Sequence, residues 1–393
     1  MQNRDNNVKD RQSTILYVSM SPMDKNIDTF VASLGGVTDS HTGGLVPAVH
    51  MGVTHVLIPG EAAIGYARGG AVEGSLFERM MVGLDGGAAA LGFVSGASAA
   101  QALLATFAKG SHIVLEERGY YEFRGILMRA AEARGLAVET VDLCDTEAVA
   151  KALRPGQTAL IWSELPTNPE WRMPDIRRLS ELGRNAGTRL LVDATAATPY
   201  HCRPIEHGAD IVLHSATKYL NGHGDLTAGA LVVADPNLRE KLIAIRTENG
   251  TVLSPMQEWL LLRGLRTLAV RMQRASASAM AIAEWLAAHQ RVHTVHYPGL
   301  PGHPQFELAS RQYGRGFGAM LSFRVSDSTC AAKITNATTV FRQSTSLGST
   351  ESLIEHRAMT EGEGTLCPDD LIRLSIGLED PRDLIEDLRR AMS

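Results

Sequence analysis

The sequence predicts an α/β fold in which a large domain with a mostly parallel sheet precedes a smaller C-terminal α+β domain. Three observations support this prediction. Between about residues 87 and 233, short apolar segments alternate with helical patterns, which is typical of βαβ units and of a sheet covered on both faces. After about Thr251 the pattern changes to longer helices with few strands. A length of 393 residues also fits two or three domains better than one.

The predicted elements of the large domain follow one another in short steps. The first strand and helix lie in a stretch of 23 residues, from Gly86 to Ala108, that carries no formal charge and is long enough to span a bilayer. Since most of them are Ala, Gly or Ser, we expect a buried strand, a glycine turn and a buried helix instead. The predicted strands are Ala90–Val94, His112–Leu115, Ala137–Val141, Thr158–Ser163, Arg189–Val192, Ile211–His214 and Ala230–Val233. The predicted helices between them are Ala97–Ala108, Glu122–Arg134 and Thr146–Leu153, with one more that begins at Pro174-Asp175.

Changes in the pattern divide the chain into three predicted parts. Residues 1–58 have weak periodicity and several Gly and Pro residues, which indicates an extended N-terminal arm. Residues 59–250 form the α/β domain, and residues 251–393 form the smaller domain. The elements predicted in the smaller domain are a long helix over Pro255–Ala288, strands Gly318–Val325 and Leu371–Ile376, and a final helix over Asp380–Met392.

Composition and charge exclude several kinds of partner and site. The 38 Lys+Arg and 43 Asp+Glu residues give a net charge of −5, so nothing favours a nucleic-acid or anionic-membrane partner. The four cysteines form no CxxC pair, which predicts free thiols in a cytoplasmic protein, and the 13 histidines show no metal-binding spacing. The chain also lacks a GxGxxG or GxxxxGK[ST] loop, which argues against NAD and ATP as ligands.

Polar side chains and a glycine turn follow the predicted parallel strands, at the edge where ligands bind in open α/β sheets. The residues concerned are Gly96, Ala97, Tyr120, Asn168, Asp193, Thr195, Ser215, Thr217 and Lys218. The Gly96 turn offers backbone N–H groups to a phosphate, and the ring of Tyr120 could stack on an aromatic cofactor. Asp193 could keep a pyridine nitrogen protonated, while Lys218 could form a Schiff base with an aldehyde. These properties together indicate pyridoxal phosphate.

The same residues lie in strings that resemble the Cys/Met-metabolism pyridoxal-phosphate enzymes, the family of cystathionine γ-synthase, the cystathionine lyases and methionine γ-lyase. SATKYLNGHGD at residues 215–225 resembles the segment around the cofactor lysine of that family. The resemblance runs in order from about residue 35 to 390. Its other strings are YAR at 66–68, SG at 95–96, PTNP at 166–169, DAT at 193–195, LLRGLRTL at 261–268, SLG at 346–348, ESLIEH at 351–356 and RLSIG at 373–377.

The resemblance implies the fold type I architecture of pyridoxal-phosphate transferases and a γ-elimination reaction catalysed by Lys218 and Tyr120. It also implies that Tyr66 and Arg68 reach the cofactor phosphate of a neighbouring subunit in a homotetramer built from dimers. The substrate would be a small amino acid held by Asn168 and two residues of the smaller domain, Ser346 and Arg373.

Two departures from the family pattern concern the region around the substrate. Tyr120 is followed by Tyr121 and Glu122 where the family has small residues, and the N-terminal region carries His50 and His55. These side chains would suit a cationic or polar γ-substituent, such as the oxyguanidine of canavanine. A γ-replacement synthase that uses an activated homoserine is the alternative. A more distant one is a serine hydrolase, because GASAA at residues 96–100 is a degenerate nucleophile elbow around Ser98.

Overall fold

A computed structural model describes residues 26–39, 42–56, 66–69, 76–362 and 364–393 of the chain. Residues 1–25, 40, 41, 57 and 58 of the predicted arm therefore lie outside the described residues. The described part is organised around a seven-stranded sheet and a five-stranded sheet. The boundaries near residues 58 and 250 remain predictions.

The seven-stranded sheet is mostly parallel, as the sequence predicts. Its strands are β1 (Ala89–Phe93), β2 (His112–Glu116), β3 (Ala137–Val141), β4 (Thr158–Glu164), β5 (Arg189–Asp193), β6 (Ile211–His214) and β7 (Gly229–Val233). They lie in the order β1-β7-β6-β5-β4-β2-β3, and only β7 runs antiparallel to its neighbours. The carboxyl ends of β2, β4, β5 and β6 consequently meet at one edge.

Helices cover this sheet on both faces, so the strand residues alternate between two hydrophobic cores. The helices of this part are α1 (Ile27–Ala32), α2 (Leu76–Asp85), α3 (Gly96–Leu104), α4 (Tyr121–Ala133), α5 (Thr146–Ala152), α6 (Ile176–Ala186), α7 (Thr198–His201) and α8 (Asn237–Asn249). In β4, Ile161 belongs to the core beneath α2 and α6, whereas Leu160 and Trp162 belong to the core beneath α3, α4 and α8. Burial on both faces explains why these strands are continuously apolar.

The five-stranded sheet is mainly antiparallel and lies in the order β10-β11-β12-β9-β8. Its strands are β8 (Thr294–His296), β9 (Met320–Arg324), β10 (Arg342–Gln343), β11 (Leu353–His356) and β12 (Leu371–Ser375). The helices that accompany it are α9 (Pro255–Leu265), α10 (Leu268–Ala287), α11 (Phe306–Gln312), α12 (Ser328–Ala337), α13 (Arg357–Glu361) and α14 (Pro381–Ala391). Buried Trp171 donates from Nε1 to Ser322 Oγ in β9 at 2.8 Å and thereby joins the two sheets.

The predicted single helix over Pro255–Ala288 was wrong, because the chain breaks after Leu265 and starts again at Leu268. The Gly264 carbonyl accepts hydrogen bonds from the Thr267 hydroxyl at 3.1 Å and from Arg271 Nη2 at 2.9 Å. A β-carbon at Gly264 would lie 2.3 Å from the Asn221 carbonyl oxygen. The two side chains satisfy the carbonyl at the break, and close contact with the loop after Lys218 requires glycine.

Several further elements were not predicted, among them α1 in the arm and strands β8, β10 and β11 of the second sheet. The arm is not wholly extended, because Ile27–Ala32 is a helix whose Phe30 and Val31 are buried in the core. Strand β11 was missed because it contains Glu355 and His356, polar residues that the sequence does not mark as buried.

The uncharged Gly86–Ala108 stretch forms β1 and α3, as predicted. Among the helices of the described residues, none is both long and apolar enough to cross a membrane.

A buried ion pair joins α2 to α8 and gives a stability prediction. Arg246 Nη1 lies 2.5 Å from Glu78 Oε1 with both side chains less than a tenth exposed, and it also donates to the Gly92 carbonyl in β1. Arg246→Met leaves the Glu78 carboxylate buried without its close cation, so we expect a loss of about 3–5 kcal/mol in the free energy of unfolding. Urea denaturation followed by circular dichroism measures it.

Arg239 is the matched control, because it pairs with the other Glu78 oxygen at 3.7 Å but is 41% exposed. Arg239→Met should cost less than about 1 kcal/mol. Equal losses in the two variants would contradict the assigned role of burial.

Candidate active site

Lys218 lies in the loop after β6, at the edge where the strand ends meet. Its Nζ donates to Ser346 Oγ at 2.6 Å across the boundary between the two sheets. Burial and, to a smaller extent, the nearby Arg373 guanidinium together lower the pKa of Lys218 to about 8, while Glu122 opposes the shift. A substantial fraction of the amine is therefore neutral near pH 8 and can act as a nucleophile or a base. Ser346 has a φ of 85°, a backbone strain that is often found at functional sites.

Asp193 ends β5 beside Lys218 and is held by the threonine two residues later. Its Oδ1 accepts from the Thr195 backbone N–H at 3.0 Å and from the Thr195 hydroxyl at 2.5 Å. The same Thr195 oxygen accepts the Ser215 N–H at 2.8 Å, which ties the end of β5 to the start of the lysine loop. Burial raises the pKa of Asp193, and the Thr195 hydrogen bonds counteract that rise. Two hydrogen bonds from Thr195 to Oδ1 thus fix the Asp193 carboxylate in place.

The turn between β1 and α3 places the amino end of a helix against the lysine loop. Ser95 caps α3 in a capping box with Ser98, and Gly96 begins the helix, followed by Ala97. A β-carbon at Gly96 would meet Ser215 Cα at 3.2 Å, and one at Gly229 would meet the Ser95 carbonyl oxygen at 2.3 Å. Small residues here let three backbone segments approach closely. A helix amino end in such a cradle suits a phosphate group.

The Thr217 hydroxyl fixes the same loop to the strand that follows it. It donates to the Ala228 carbonyl at 3.1 Å and accepts the Ala228 N–H at 2.9 Å. These bonds hold Thr217 and Lys218 against the start of β7.

Tyr120 precedes α4, and a partly buried carboxylate anchors its backbone. Glu164, at the end of β4, accepts the Tyr120 N–H at 2.8 Å and the Asn168 N–H at 3.4 Å through Oε2. The phenol of Tyr120 donates to Glu122 Oε2 in the first turn of α4. Burial raises the pKa of Tyr120 and so does Glu122, whereas the cations Arg357 and Arg373 act in the opposite direction. Tyr120 therefore remains a protonated donor near neutral pH.

Arg373 in β12 is buried among acceptors from both sheets. Its Nη2 donates to the Ser346 carbonyl at 2.9 Å and lies 2.5 Å from Glu355 Oε2, while Nη1 is 3.4 Å from Asn168 Oδ1. Burial lowers the pKa of Arg373 to about 10, so the guanidinium stays charged at neutral pH. The structure thus brings Asn168, Ser346 and Arg373 together beside Lys218.

Three groups of this cluster were assigned no role by the sequence analysis: Glu164, Glu355, which lies within the ESLIEH string, and Arg357. Glu164 could have been found, because it ends a predicted strand directly before the PTNP string. Arg357 lies next to the ESLIEH string, but nothing in its neighbours predicts that its guanidinium lies within 5.3 Å of the Tyr120 ring centre. That contact comes from tertiary packing alone.

Tyr66 and Arg68 lie apart from this cluster. Arg68 packs over the Tyr66 ring at 5.4 Å, and Tyr66 is 50% exposed beside a bridge to Thr54. Within the described part of the chain, neither side chain contacts Lys218, which bonds to Ser346. Their predicted role toward a neighbouring subunit remains a prediction.

The remaining candidates have local roles. The Ser98 hydroxyl donates to the Ser95 carbonyl at 2.8 Å within the capping box, which is a structural use of the group. His214 pairs with buried Asp85 at 2.9 Å. The four cysteines are free, and among the described residues no group of three or more His, Cys, Asp or Glu side chains could hold a metal ion.

These donors and acceptors fit pyridoxal phosphate. The amino end of α3 with its close glycine contacts can take the phosphate, and Asp193 can take the ring nitrogen. Lys218, with a pKa of about 8, can condense with the aldehyde.

Comparison with known proteins gives the same result. The sequence profile of the Cys/Met metabolism PLP-dependent enzymes matches residues 44–393. The cystathionine gamma-synthase of Mycobacterium bovis is 42% identical to this chain over 334 residues, which cover 83% of this chain and 86% of the relative. The cystathionine gamma-lyase of Bacillus subtilis is 37% identical over 369 residues, which cover 91% of this chain and 97% of the relative. The crystal structure of metB from Corynebacterium glutamicum superimposes with a TM-score of 0.90 at 34% identity, covering 95% of this chain and 99% of its own. The chain therefore belongs to the Cys/Met metabolism family of pyridoxal-phosphate-dependent enzymes.

Proposed function

We propose that the protein catalyses γ-elimination on a γ-substituted amino acid. The observation that carries the proposal is the position of Lys218, a partly neutral amine next to the Arg373 guanidinium. A base that moves protons on an amino acid must lie close to the group that binds the carboxylate of that amino acid. Pyridoxal phosphate supplies, when bound, an aldehyde for the lysine and a ring that stores the electrons released at Cα.

The residues proposed to hold the cofactor surround Lys218. The backbone of Gly96 and Ala97 and the hydroxyls of Ser215 and Thr217 would bind the phosphate. Asp193, held by Thr195, would pair with the ring nitrogen, and the Tyr120 ring would stack on the cofactor ring, with Asn168 at its edge. Each group is anchored by a hydrogen bond or backbone contact that leaves little freedom.

Lys218 and Tyr120 would carry out the proton transfers. Once substrate has released it, the neutral Lys218 amine would take a proton from Cα. It would have to pass that proton on before it could take a second one from Cβ, and the loss of both protons would let the γ-substituent depart. The Ser346 hydroxyl, 2.6 Å from Nζ, orients the amine during these steps. Tyr120 stays protonated beside Glu122, so its phenol can give a proton to the leaving atom.

Arg373 would bind the substrate carboxylate, with Asn168 and Ser346 beside it. A planar guanidinium can hold a carboxylate through two hydrogen bonds, and its pKa of about 10 keeps it charged over the working range. This grip would place Cα of the substrate next to Lys218.

Elimination rather than replacement is the preferred reaction, and a γ-replacement synthase is the alternative. Relatives with both kinds of name match this chain, a synthase from Mycobacterium bovis and a lyase from Bacillus subtilis. The two reactions share the steps up to departure of the γ-substituent and differ in whether a second nucleophile enters.

The Glu122 carboxylate supports a cationic γ-substituent, such as the oxyguanidine of canavanine. It is exposed at the start of α4, bonded to the Tyr120 phenol and close enough to Lys218 to oppose the fall in its pKa. The ion pairs recorded among the described residues include none to Glu122. His50 and His55 lie in the described arm, and their role toward the substituent is part of the same hypothesis.

A homotetramer built from dimers is the proposed assembly. Exposed apolar side chains cluster in the arm and at the start of α9, including Leu45 at 73%, Met51 at 64%, Val56 at 84% and Met256 at 47% exposure. Exposed apolar groups of this kind usually cover a partner surface. Tyr66 and Arg68 would then complete the phosphate site of the neighbouring subunit.

Replacing Lys218 tests the lysine assignment. Lys218→Arg keeps a positive charge but cannot condense with an aldehyde, so we expect the reconstituted variant to lack a visible absorption band that borohydride reduces. Lys241→Arg, an exposed lysine in α8, is the control and should keep the band. A reducible band in the Lys218 variant would overturn the assignment.

A substrate panel tests the reaction and the γ-substituent. Cystathionine, methionine, homocysteine, acylhomoserines and canavanine are supplied to the wild type and to Glu122→Gln, and 2-oxo acid, homoserine and thioether products are identified. Glu122→Gln should lower kcat/KM about three- to tenfold for canavanine and less than about twofold for methionine, because only the side chain of canavanine carries a cationic group.

Glu132→Gln, exposed later in α4, is the matched control and should change neither value. Inert canavanine would remove the cationic hypothesis, and thioether formation as the main product would favour the synthase.

Subunit complementation tests the assembly. Lys218→Ala and Arg68→Ala should each be inactive, whereas unfolding and refolding them together should restore about a quarter of the sites, because mixed dimers contain one intact site. Light scattering reports the oligomer size. Full activity in a strictly monomeric wild type would contradict shared sites.

A further inference from the structure

Four buried charged groups alternate in sign behind the proposed carboxylate site. They run from Arg373 in β12 through Glu355 in β11 to Arg357 and Glu361 in α13. Their side chains are 3%, 5%, 1% and 6% exposed, respectively. Two positive and two negative charges make the row neutral, which offsets the cost of burial for each member.

The two terminal guanidinium nitrogens of Arg373 differ in how close their acceptors lie. Nη2 donates to the Ser346 carbonyl at 2.9 Å and lies 2.5 Å from Glu355 Oε2. Among the described residues, the one acceptor within hydrogen-bond distance of Nη1 is Asn168 Oδ1 at 3.4 Å. Nη1 is therefore the donor that remains for a substrate carboxylate.

Glu355 competes directly with that substrate carboxylate. It lies opposite Arg373 in the β11–β12 register, so the two side chains meet whether or not a ligand is bound. A carboxylate paired with Arg373 alone would neutralise the guanidinium and weaken its attraction for a second anion.

Arg357 takes a share of the same carboxylate. Its Nη1 donates to Glu355 Oε1 at 3.0 Å and to Oε2 at 3.2 Å, and its Nε donates to Glu361 Oε1 at 2.8 Å. The negative charge of Glu355 is thus divided between two guanidinium groups. Arg373 keeps positive charge toward the site in consequence.

Arg357 also contacts the tyrosines at the start of α4. Its guanidinium carbon lies 5.3 Å from the Tyr120 ring centre and 5.0 Å from that of Tyr121, and those two rings pack edge to face at 5.7 Å. Both are cation–π distances. One side chain therefore connects the carboxylate site with the ring that would stack on the cofactor.

We propose that Arg357 is a positioning residue for the carboxylate site, acting through Glu355 to keep Arg373 available to the substrate. The inference rests on the proposed role of Arg373 in holding the substrate carboxylate. Two observations support it. The Glu355 carboxylate contacts both Arg357 and Arg373, and the Arg357 side chain is buried.

Equilibrium binding of an unreactive ligand pair tests this role without turnover. Calorimetry on the cofactor-loaded protein gives Kd values for L-alanine, which has the carboxylate, and for L-alaninamide, which does not. Arg357→Met should raise the Kd of alanine about tenfold because Glu355 then pairs with Arg373 alone. The Kd of alaninamide should change less than about twofold.

A rescue variant separates positioning from general damage. Adding Glu355→Gln to Arg357→Met removes the competing carboxylate, so alanine affinity should return to within about threefold of wild type. Loss of affinity for both ligands in Arg357→Met, or no recovery in the double variant, would overturn the proposal. Arg357→Lys, which keeps the charge but cannot bridge both carboxylates, should show a smaller loss and serves if the methionine variant does not fold.

Arg324→Met is the matched control. Arg324 in β9 lies two residues from Ser322, the residue opposite Arg373, but its guanidinium pairs with nearly buried Asp370 through Nε at 2.8 Å and not with Glu355, so its loss should leave both Kd values unchanged. The proposed role of Arg373 is tested separately by the wild-type protein. Equal Kd values for alanine and alaninamide in the wild type would refute that role. Discrimination by the wild type that Arg357→Met leaves intact would refute only the positioning role.

Discussion

Carboxylates at the ends of parallel strands, two of them buried and one partly buried, constrain the candidate site. Glu116 ends β2, Glu164 ends β4 and Asp193 ends β5. Burial raises the pKa of Glu116 to about 7 and that of Glu164 well above its usual value. Since buried polar groups need partners, Glu164 recruits the backbone N–H groups of Tyr120 and Asn168. Hydrogen bonding to this carboxylate therefore brings the Tyr120 backbone and the Asn168 loop to the same strand end.

The second sheet contributes the residues that we propose for binding of the substrate. Arg373 and Ser346 come from the smaller region, while Lys218 and Asn168 come from the larger one, and hydrogen bonds cross between them. Arg373 pairs with Glu355, its partner across the sheet. Arg357 pairs with the same carboxylate and packs on the Tyr120 ring, so in the proposed mechanism one buried cation would affect both carboxylate binding and the orientation of Tyr120.

The sequence predicted those site residues whose position follows from the order of the parallel strands. Asp193, Lys218 and the Gly96 turn each come directly after an apolar strand, so their convergence follows from the parallel sheet. Glu355, Arg357 and the break after Leu265 were out of reach for a physical reason. Each depends on contacts between segments far apart in the chain, such as the Gly264 backbone against Asn221. Hydrophobic periodicity carries no information about such contacts.

The sequence by itself determined the family, the cofactor and the α/β architecture, because apolar strands, turn glycines and short functional strings are local features. Only the tertiary structure decided how the charges are balanced. It paired Tyr120 with Glu122, lowered the pKa of Lys218 through burial beside Arg373 and divided Glu355 between two guanidinium groups. Electrostatic interactions depend on distance and burial, and neither quantity can be read from the order of residues along the chain.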